Sequence, residues 1–207
     1  MSISTHAELK TAISNWLKRS DLSTYLDDLV MLGETRIFRD VRSIEMQASY
    51  SEAIDTASGT TTVPDGFIGW VSVNIGTTAS RRPLEVTTAH QIVMEMDYPD
   101  RTGMPKMIWM RGGGATFGYY PFPDSDYSVA GTYYKKPGTL SSAVYTLFTN
   151  NPDLYLFASL AEAAPFLKDD KRVELWEAKY RQIKDAVNAQ YTKTRFSGPL
   201  HMTARGA

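Results

Sequence analysis

Residues 151–165 read NPDLYLFASLAEAAP, and from Val173 onward Trp176, Tyr180, Ile183 and Val187 recur. Asn151 is a good N-cap, and Pro152 suits the first helical position, where its missing N–H has no partner to lose. Leu154, Phe157, Leu160, Ala161 and Ala164 then form a helical face rich in small residues. Pro165 should kink or end that helix, and Asp169 or Asp170 can restart it. The set from Val173 to Val187 steps by three and four residues alternately, the heptad-like spacing that packs a helix along another helix. Each of these side chains contributes about 1.5–3 kcal/mol if fully buried. Two helices with apolar faces of this kind require partner helices.

The other end of the chain supplies them. Thr5 and Glu8 fit a capping box, and Leu9, Ile13, Trp16 and Leu17 follow at helical spacing. Arg19, Ser20 and Asp21 break the pattern, with Ser20 or Asp21 placed to cap a second helix. Leu22, Leu26, Leu29, Val30, Ile37 and Val41 form its stripe. Gly33 lies inside that stripe. An interior glycine costs about 1 kcal/mol relative to alanine, so its presence predicts a close helix crossing. The short connection predicts a helical hairpin, and the two ends together predict a four-helix unit.

Between them the chain changes character. Threonine, glycine, aromatic and β-branched residues dominate residues 44–147. Thr60 to Val63 runs into the turn Pro64-Asp65-Gly66, and Phe67 to Ile75 reads as a strand. Lys106–Arg111 and Ala115–Tyr120 flank Gly112-Gly113-Gly114 as a β-hairpin. Tyr127, Val129, Gly131 and Tyr133 alternate as another strand. Thr87 or Thr88 caps a short helix through Ile92, Val93 and Met96, ending before Pro99. The expected fold class is α+β, a helical bundle from the N- and C-terminal helices with an antiparallel β-rich insertion. The expected divisions are 1–43, an N-terminal hairpin; 44–147, the β-rich insertion; 148–194, the C-terminal helices; and 195–207, an extended tail that is polar, contains Gly198-Pro199 and has too few apolar residues for a core.

Composition narrows the function. The chain has 207 residues, 43% hydrophobic and 22% charged, as in ordinary globular proteins. It has no cysteine, which removes disulfides, thiolate catalysis and Cys-based zinc sites. A net charge of −1 gives no global basic field for nucleic acid or an anionic membrane. No apolar run approaches the roughly 20 residues of a membrane span. The first residues lack the pattern of a signal peptide, so assembly in the cytoplasm is expected.

A search for chemistry returns little. His6, His90 and His201 are the three histidines, far apart in sequence and outside any HExxH pattern. The run Gly112–Gly118 lacks the Gly-Lys-Ser/Thr ending and following helix of a phosphate loop. Asp124 and Asp126 lack the rest of a calcium loop. Asp27-Asp28 and Asp169-Asp170 suit helix ends. Arg81-Arg82 and Lys135-Lys136 are local pairs. No catalytic, cofactor-binding or metal-binding residue is expected. The aromatics Phe117, Tyr119, Tyr120, Phe122, Tyr127, Tyr133 and Tyr134 admit three readings: cross-strand packing, a stacking platform for sugars or bases, or a protein interface.

The segments from Leu9 to Leu22, from Leu29 to Arg42 and from Asn151 to Leu167, together with Val63-Pro-Asp-Gly-Phe67 and the long final helix carrying Trp176 and Tyr180, resemble the head-to-tail adaptor (connector) proteins of short-tailed phages, the tail tubular protein A type. The resemblance is stronger at the helical ends than in the β-block. It implies a virion protein of the neck or tail with no enzymatic activity. It would bind the portal protein as a ring, usually of twelve copies, extend the DNA channel and dock the tail nozzle protein. DNA would pass without sequence-specific binding. The resemblance also implies that the C-terminal tail reaches the portal, here through Arg195, Phe196, Leu200, His201, Met202 and Arg205. Ring closure is a heterologous contact, expected at Tyr119, Tyr120, Phe122, Tyr133 and Tyr134 on one side and at the helical bundle on the other. The alternative is a carbohydrate-binding or cell-wall-degrading phage tail component that uses the aromatic β-block.

Overall fold

A computed structural model describes residues 3–19, 21–76, 80–95, 101–164 and 171–195. In chain order the elements are α1 (His6–Leu17), α2 (Leu26–Asp40), β1 (Gln47–Ala53), β2 (Thr60–Thr62), β3 (Phe67–Gly76), β4 (Arg81–Pro83), β5 (Glu85–Val86), α3 (Ala89–Glu95), β6 (Met107–Met110), β7 (Thr116–Tyr120), β8 (Ser128–Lys135), α4 (Thr146–Asn150), α5 (Pro152–Glu162) and α6 (Arg172–Arg195). The fold is α+β. It divides into a helical unit, residues 1–46 with 137–207, and a β unit, residues 47–136.

In the helical unit, α1 starts on the predicted capping box: the Glu8 amide donates to Thr5 Oγ1 at 3.2 Å, and the Thr5 amide donates to Glu8 Oε2 at 3.1 Å. Leu9, Ile13 and Leu17 are buried, whereas Trp16 stays 46% exposed and meets Phe157 edge-on at 5.5 Å. The second helix begins later than its sequence suggests. A 3-10 turn at Ser23–Tyr25 precedes α2, which has no side-chain cap. Asp21 pairs instead with Arg19, and Ser20 lies outside the described residues. Asp27 and Asp28 in the first turn of α2 complement the helix dipole in place of a cap.

Gly33 is the close crossing that its position predicts. A Cβ there would lie 2.8 Å from Ser159 Oγ and 2.9 Å from the Ser159 amide nitrogen, so α2 and α5 approach backbone to backbone. The small residues of α5 have the same basis: Ala158, Ser159 and Ala161 are all buried. α5 is the central helix, packed by α1, α2 and α6, so the N-terminal pair is a hairpin whose main partner is α5 and not itself. On α6, Trp176, Tyr180 and Val187 are buried, while Val173 and Ile183 are half-buried. Pro165, Asp169 and Asp170 lie outside the described residues.

Residues 44–46 and 137–147 group with the helices, in place of the β-rich insertion to which their composition assigns them. Leu140 is buried, and its amide donates to the buried Glu34 Oε1 at 2.7 Å. α4, too short to show a helical period, buries Leu147 and Phe148. Asn151 does not cap α5 through its side chain; its Nδ2 donates back to the Leu147 carbonyl at 3.2 Å and closes α4.

The β unit is a small sandwich of two sheets, ordered β1-β8-β3-β4 and β2-β7-β6-β5. All pairings are antiparallel except the short parallel pair β5/β6. The turn Pro64–Phe67 closes with the Phe67 amide on the Pro64 carbonyl at 3.1 Å, and Gly66 takes φ 71°, the left-handed value a type II turn requires at that position. β6 and β7 form the predicted hairpin across the glycine run. Thr88 and Gln91 form the capping box of α3: the Gln91 amide donates to Thr88 Oγ1 at 3.3 Å, and the Thr88 amide to Gln91 Oε1 at 3.2 Å. The helix runs to Glu95, and Met96 and Pro99 lie outside the described residues. β1 carries no alternation strong enough to mark it in sequence, and its place is fixed by pairing along β8.

Candidate functional site

The residues that suggest chemistry are not brought together. His6 Nε2 lies 3.5 Å from Asp27 Oδ1, beside Lys10, at the α1–α2 surface. His90 is exposed on α3, and His201 lies outside the described residues. Among the described residues, no group of three or more His, Cys, Asp or Glu side chains is placed to hold a metal ion. Gly112–Gly114 is a 3-10 turn leading into strand β7 and not into a helix, so it lacks the architecture of a phosphate cradle. Asp124 accepts from the Tyr127 hydroxyl at 2.8 Å, a local loop bond.

The aromatic residues of the β unit are largely its core. Tyr50, Phe117, Tyr119 and Tyr133 are buried with Ile75, Ile108 and Val129. Tyr50 meets Trp70, Phe117 and Tyr133 edge-on at 5.2, 6.2 and 6.4 Å, the arrangement that ring quadrupoles favour. Tyr119 shares a hydrogen bond of 2.6 Å with Thr61, and burial raises its pKa. The Tyr50 hydroxyl donates to Glu52 Oε2 at 2.6 Å, and the same carboxylate oxygen accepts from the Thr62 amide at 2.9 Å, tying the two sheets along one edge. Of the five tyrosine and phenylalanine residues expected at a subunit contact, Tyr119, Tyr120 and Tyr133 are buried, Tyr134 is half-buried and Phe122 is 37% exposed. Tyr119 and Tyr133 are thereby turned into the sandwich core. Val86, Val93 and Met94, at 56%, 69% and 72% exposed, are the prominent apolar side chains on this unit's surface.

The helical unit carries a polar cluster that no local pattern in the sequence marks. Arg36 of α2 forks onto Glu177 of α6, with Nη2 at 2.6 and 2.8 Å from its two oxygens, and reaches Glu162 of α5 at 3.3 Å. Its guanidinium lies 4.4 Å over the Tyr180 ring, and the Tyr180 hydroxyl donates to Asp40 Oδ2 at 2.9 Å. Burial alone would raise the Glu177 pKa, but the Arg36 and Arg181 guanidinium groups outweigh it and hold the carboxyl below its ordinary value. Burial and the Asp40 acceptor both push the Tyr180 phenol up. The cluster fixes the register of three helices; its partners lie 126 and 141 residues apart in sequence, a separation with no periodic signal.

Residues of α5 and α6 line an open groove of 460 Å³. Phe157, Ile183 and Val187 give it an apolar lining, and Asp153 and Lys179 stand at its margins. A second, smaller depression shares Asn151, Val187 and Gln190 with it and continues to Ile44, Glu45 and Tyr191. Of the six residues expected to contact a portal, Arg195 is the last residue of α6, and Phe196, Leu200, His201, Met202 and Arg205 lie outside the described residues.

The class of the chain, a phage head-to-tail adaptor, rests on its family. A family model described as SU10 adaptor protein matches residues 4–203, spanning both units. The chain belongs to the SU10 adaptor protein family. No match was found among curated proteins. The adaptor role places the chain in the virion neck. Among the described residues, no helix is long and apolar enough to cross a membrane.

Proposed function

We propose that this adaptor binds the portal protein as a closed ring, extends the DNA channel and offers the tail nozzle a platform, without catalytic activity. The observation that carries the reading is the family match across residues 4–203, helical and β units alike. Twelve copies is the stoichiometry we propose, in register with a portal ring. The C-terminal segment makes the portal contact through Arg195, Phe196, Leu200, His201, Met202 and Arg205. The β unit contributes to the subunit contact through Phe122 and Tyr134, with the buried Tyr119, Tyr120 and Tyr133 holding the strands beneath them. The net charge of −1 supports a conduit role, because each phosphate neutralised by a basic residue adds salt-dependent affinity that would retard passing DNA.

Sedimentation of the purified chain, alone and with the portal from its own genome, tests this. The expected outcome is a small species that shifts onto the portal ring in defined stoichiometry. A chain that never co-sediments with portal overturns the reading. Removal of residues 196–207 should abolish the shift while leaving the helical content of the chain unchanged; undiminished binding removes the proposed role of that segment.

A further inference from the structure

We propose that neighbouring copies of this chain join edge to edge through one sheet of the β unit, with β4 of one copy pairing antiparallel with β1 of the next. The pairing stands on the sheet itself; that it closes a ring on the portal rests on the adaptor reading above.

The two edges are open in matching places. The sheet runs β1-β8-β3-β4, so β1 and β4 each have one neighbour in it. The Ile54 amide donates to the Tyr127 carbonyl in line with the β1–β8 ladder, and backbone groups alternate sides along a strand. The N–H and C=O groups of Ser51 and Ala53 therefore point away from β8. The Leu84 amide donates to the Val73 carbonyl of β3. By the same alternation, the outward groups of β4 are those of Arg81 and Pro83. Ser51, Ala53, Arg81, Arg82 and Pro83 are all exposed. Pro83 has no N–H and offers its carbonyl alone, as prolines on edge strands do.

The register follows from the rows of the sheet. Ala53 pairs with Ser128, Ser128 with Gly76 and Gly76 with Arg81. Glu52, Val129, Ile75 and Arg82 form the next row, and Ser51, Ala130, Asn74 and Pro83 the one after it. A second copy set along these rows places Arg81 opposite Ala53, Arg82 opposite Glu52 and Pro83 opposite Ser51. The ladders are all antiparallel, so β1 and β4 run in opposite directions. A copy in the same orientation therefore continues the alternation. Arg81 and Ala53 then exchange backbone hydrogen bonds, and the Ser51 amide donates to the Pro83 carbonyl. The contact joins two different edges, the heterologous kind that a ring repeats.

Charge selects the same register. Residues 43–80 hold Glu45, Glu52, Asp55 and Asp65 and no lysine or arginine, and Arg81 and Arg82 follow. One edge of the sheet is thus acidic and the other basic. Glu52 accepts from Tyr50 and Thr62 through Oε2, which leaves Oε1 to accept from Arg82 of the next copy. Opposite charges directly across a ladder stabilise it, whereas two β1 edges would bring like charges together. β1 also lacks the lysine and proline that commonly blunt an edge strand. A few backbone bonds and one ion pair at an exposed edge make a weak contact. Copies should stay apart in dilute solution and link where the portal holds them side by side.

The absence of cysteine from the chain permits a clean test on the full-length protein, A53C with R81C. Within one chain β8 and β3 separate these positions by roughly 14 Å, at about 4.8 Å per strand spacing, too far for a disulfide. Across the proposed contact they face each other at about 5.5 Å. Mixed with portal under mild oxidation, the double-cysteine protein should give a ladder of disulfide-linked oligomers, and either single-cysteine protein should stay monomeric. Adding S51P, which removes an amide that faces away from β8, should abolish the ladder while leaving the thermal midpoint unchanged. Adding R82E, which sets two acids opposite each other, should slow the ladder about fivefold. An undiminished ladder in either variant overturns the proposal. A dimer from the A53C protein alone also overturns it, by making β1 pair with itself. Portal co-sedimentation without a ladder removes the edge pairing and leaves the adaptor reading standing. A ladder that forms at high protein concentration, from a chain that never co-sediments with portal, keeps the pairing and removes the adaptor reading. If neither is seen, both fall.

Discussion

Gly33 and Tyr155 show how differently two buried residues of one bundle are constrained. A methyl group on Gly33 would meet Ser159 at 2.8–3.1 Å, including backbone atoms that cannot rotate away. Overpacking of this kind costs about 1–3 kcal/mol, and the helical propensity gained from alanine returns at most about 1 kcal/mol. Gly33→Ala should therefore lower the denaturation midpoint of the chain in urea, and a midpoint unchanged or raised would contradict the crossing described here. Tyr155 is the opposite case. Its ring is 1% exposed and packs edge-on against Phe148 at 5.1 Å, while its hydroxyl is buried without a partner. An unpaired buried hydroxyl carries a desolvation cost, so Tyr155→Phe should leave stability unchanged or raise it by about 1 kcal/mol. A loss of stability in the same urea titration would reveal a partner for that hydroxyl.

At the scale of elements, α6 is held by packing on one side and by charge on the other. Trp176 and Tyr180 fill the bundle, and Glu177 between them binds Arg36 of α2. The Glu177 pKa is depressed when folded, against an ordinary value of 4.5. Its contribution is thus fully present above pH 4.5 and is lost as pH falls through the depressed folded value. Glu177→Gln should cost about 2 kcal/mol near neutrality, and the variant's stability should fall less steeply than the wild type's below pH 4.5. Equal slopes in acid would assign the depressed group elsewhere. The segment before α4 depends on one carboxylate in the same way. Glu34 accepts from the Leu140 amide inside the unit. Glu34→Leu should cost about 2 kcal/mol by leaving that amide unsatisfied, with faster hydrogen exchange at Leu140, and Glu34→Gln should restore most of the protection because an amide oxygen still accepts.

For the whole molecule, the consequence of the two-unit division is an asymmetry in what can fold by itself. The β unit is one continuous stretch, residues 47–136, and its core cluster draws every member from within that stretch. Expressed alone, residues 47–136 should give a cooperative thermal transition and dispersed amide resonances. The helical unit has no such independence: α1 and α2 come from one end of the chain, α5 and α6 from the other, and α2 buries its glycine-centred face on α5. Residues 1–46 alone should show little helix by circular dichroism, since helices of this length are marginal without a packed partner. A stable helical fragment 1–46 would mean that the α1–α2 contact suffices.

What the sequence determined by itself is whatever local chemistry controls. Thr5 and Glu8 start α1, Pro64 to Gly66 turn the chain, the glycine run joins β6 to β7, and the steps from Trp176 to Val187 mark the buried face of α6; each signal lies within about three turns of chain, where propensity and periodicity act. Gly33 announced a close approach, because an interior glycine is tolerated only where something needs the space. What only the tertiary structure decided is what depends on residues far apart in sequence. The start of α2 lies at Leu26, after a 3-10 turn at Ser23–Tyr25 and without a side-chain cap. The segment 137–147 joined the helices because Glu34 holds Leu140. Burial decided which β-block aromatics pack across strands: Tyr119, Tyr120 and Tyr133 are buried, and Tyr119 and Tyr133 join the core cluster. The Arg36 cluster exists only once helices from the two ends of the chain lie side by side, and no pattern along either end alone encodes a contact between them.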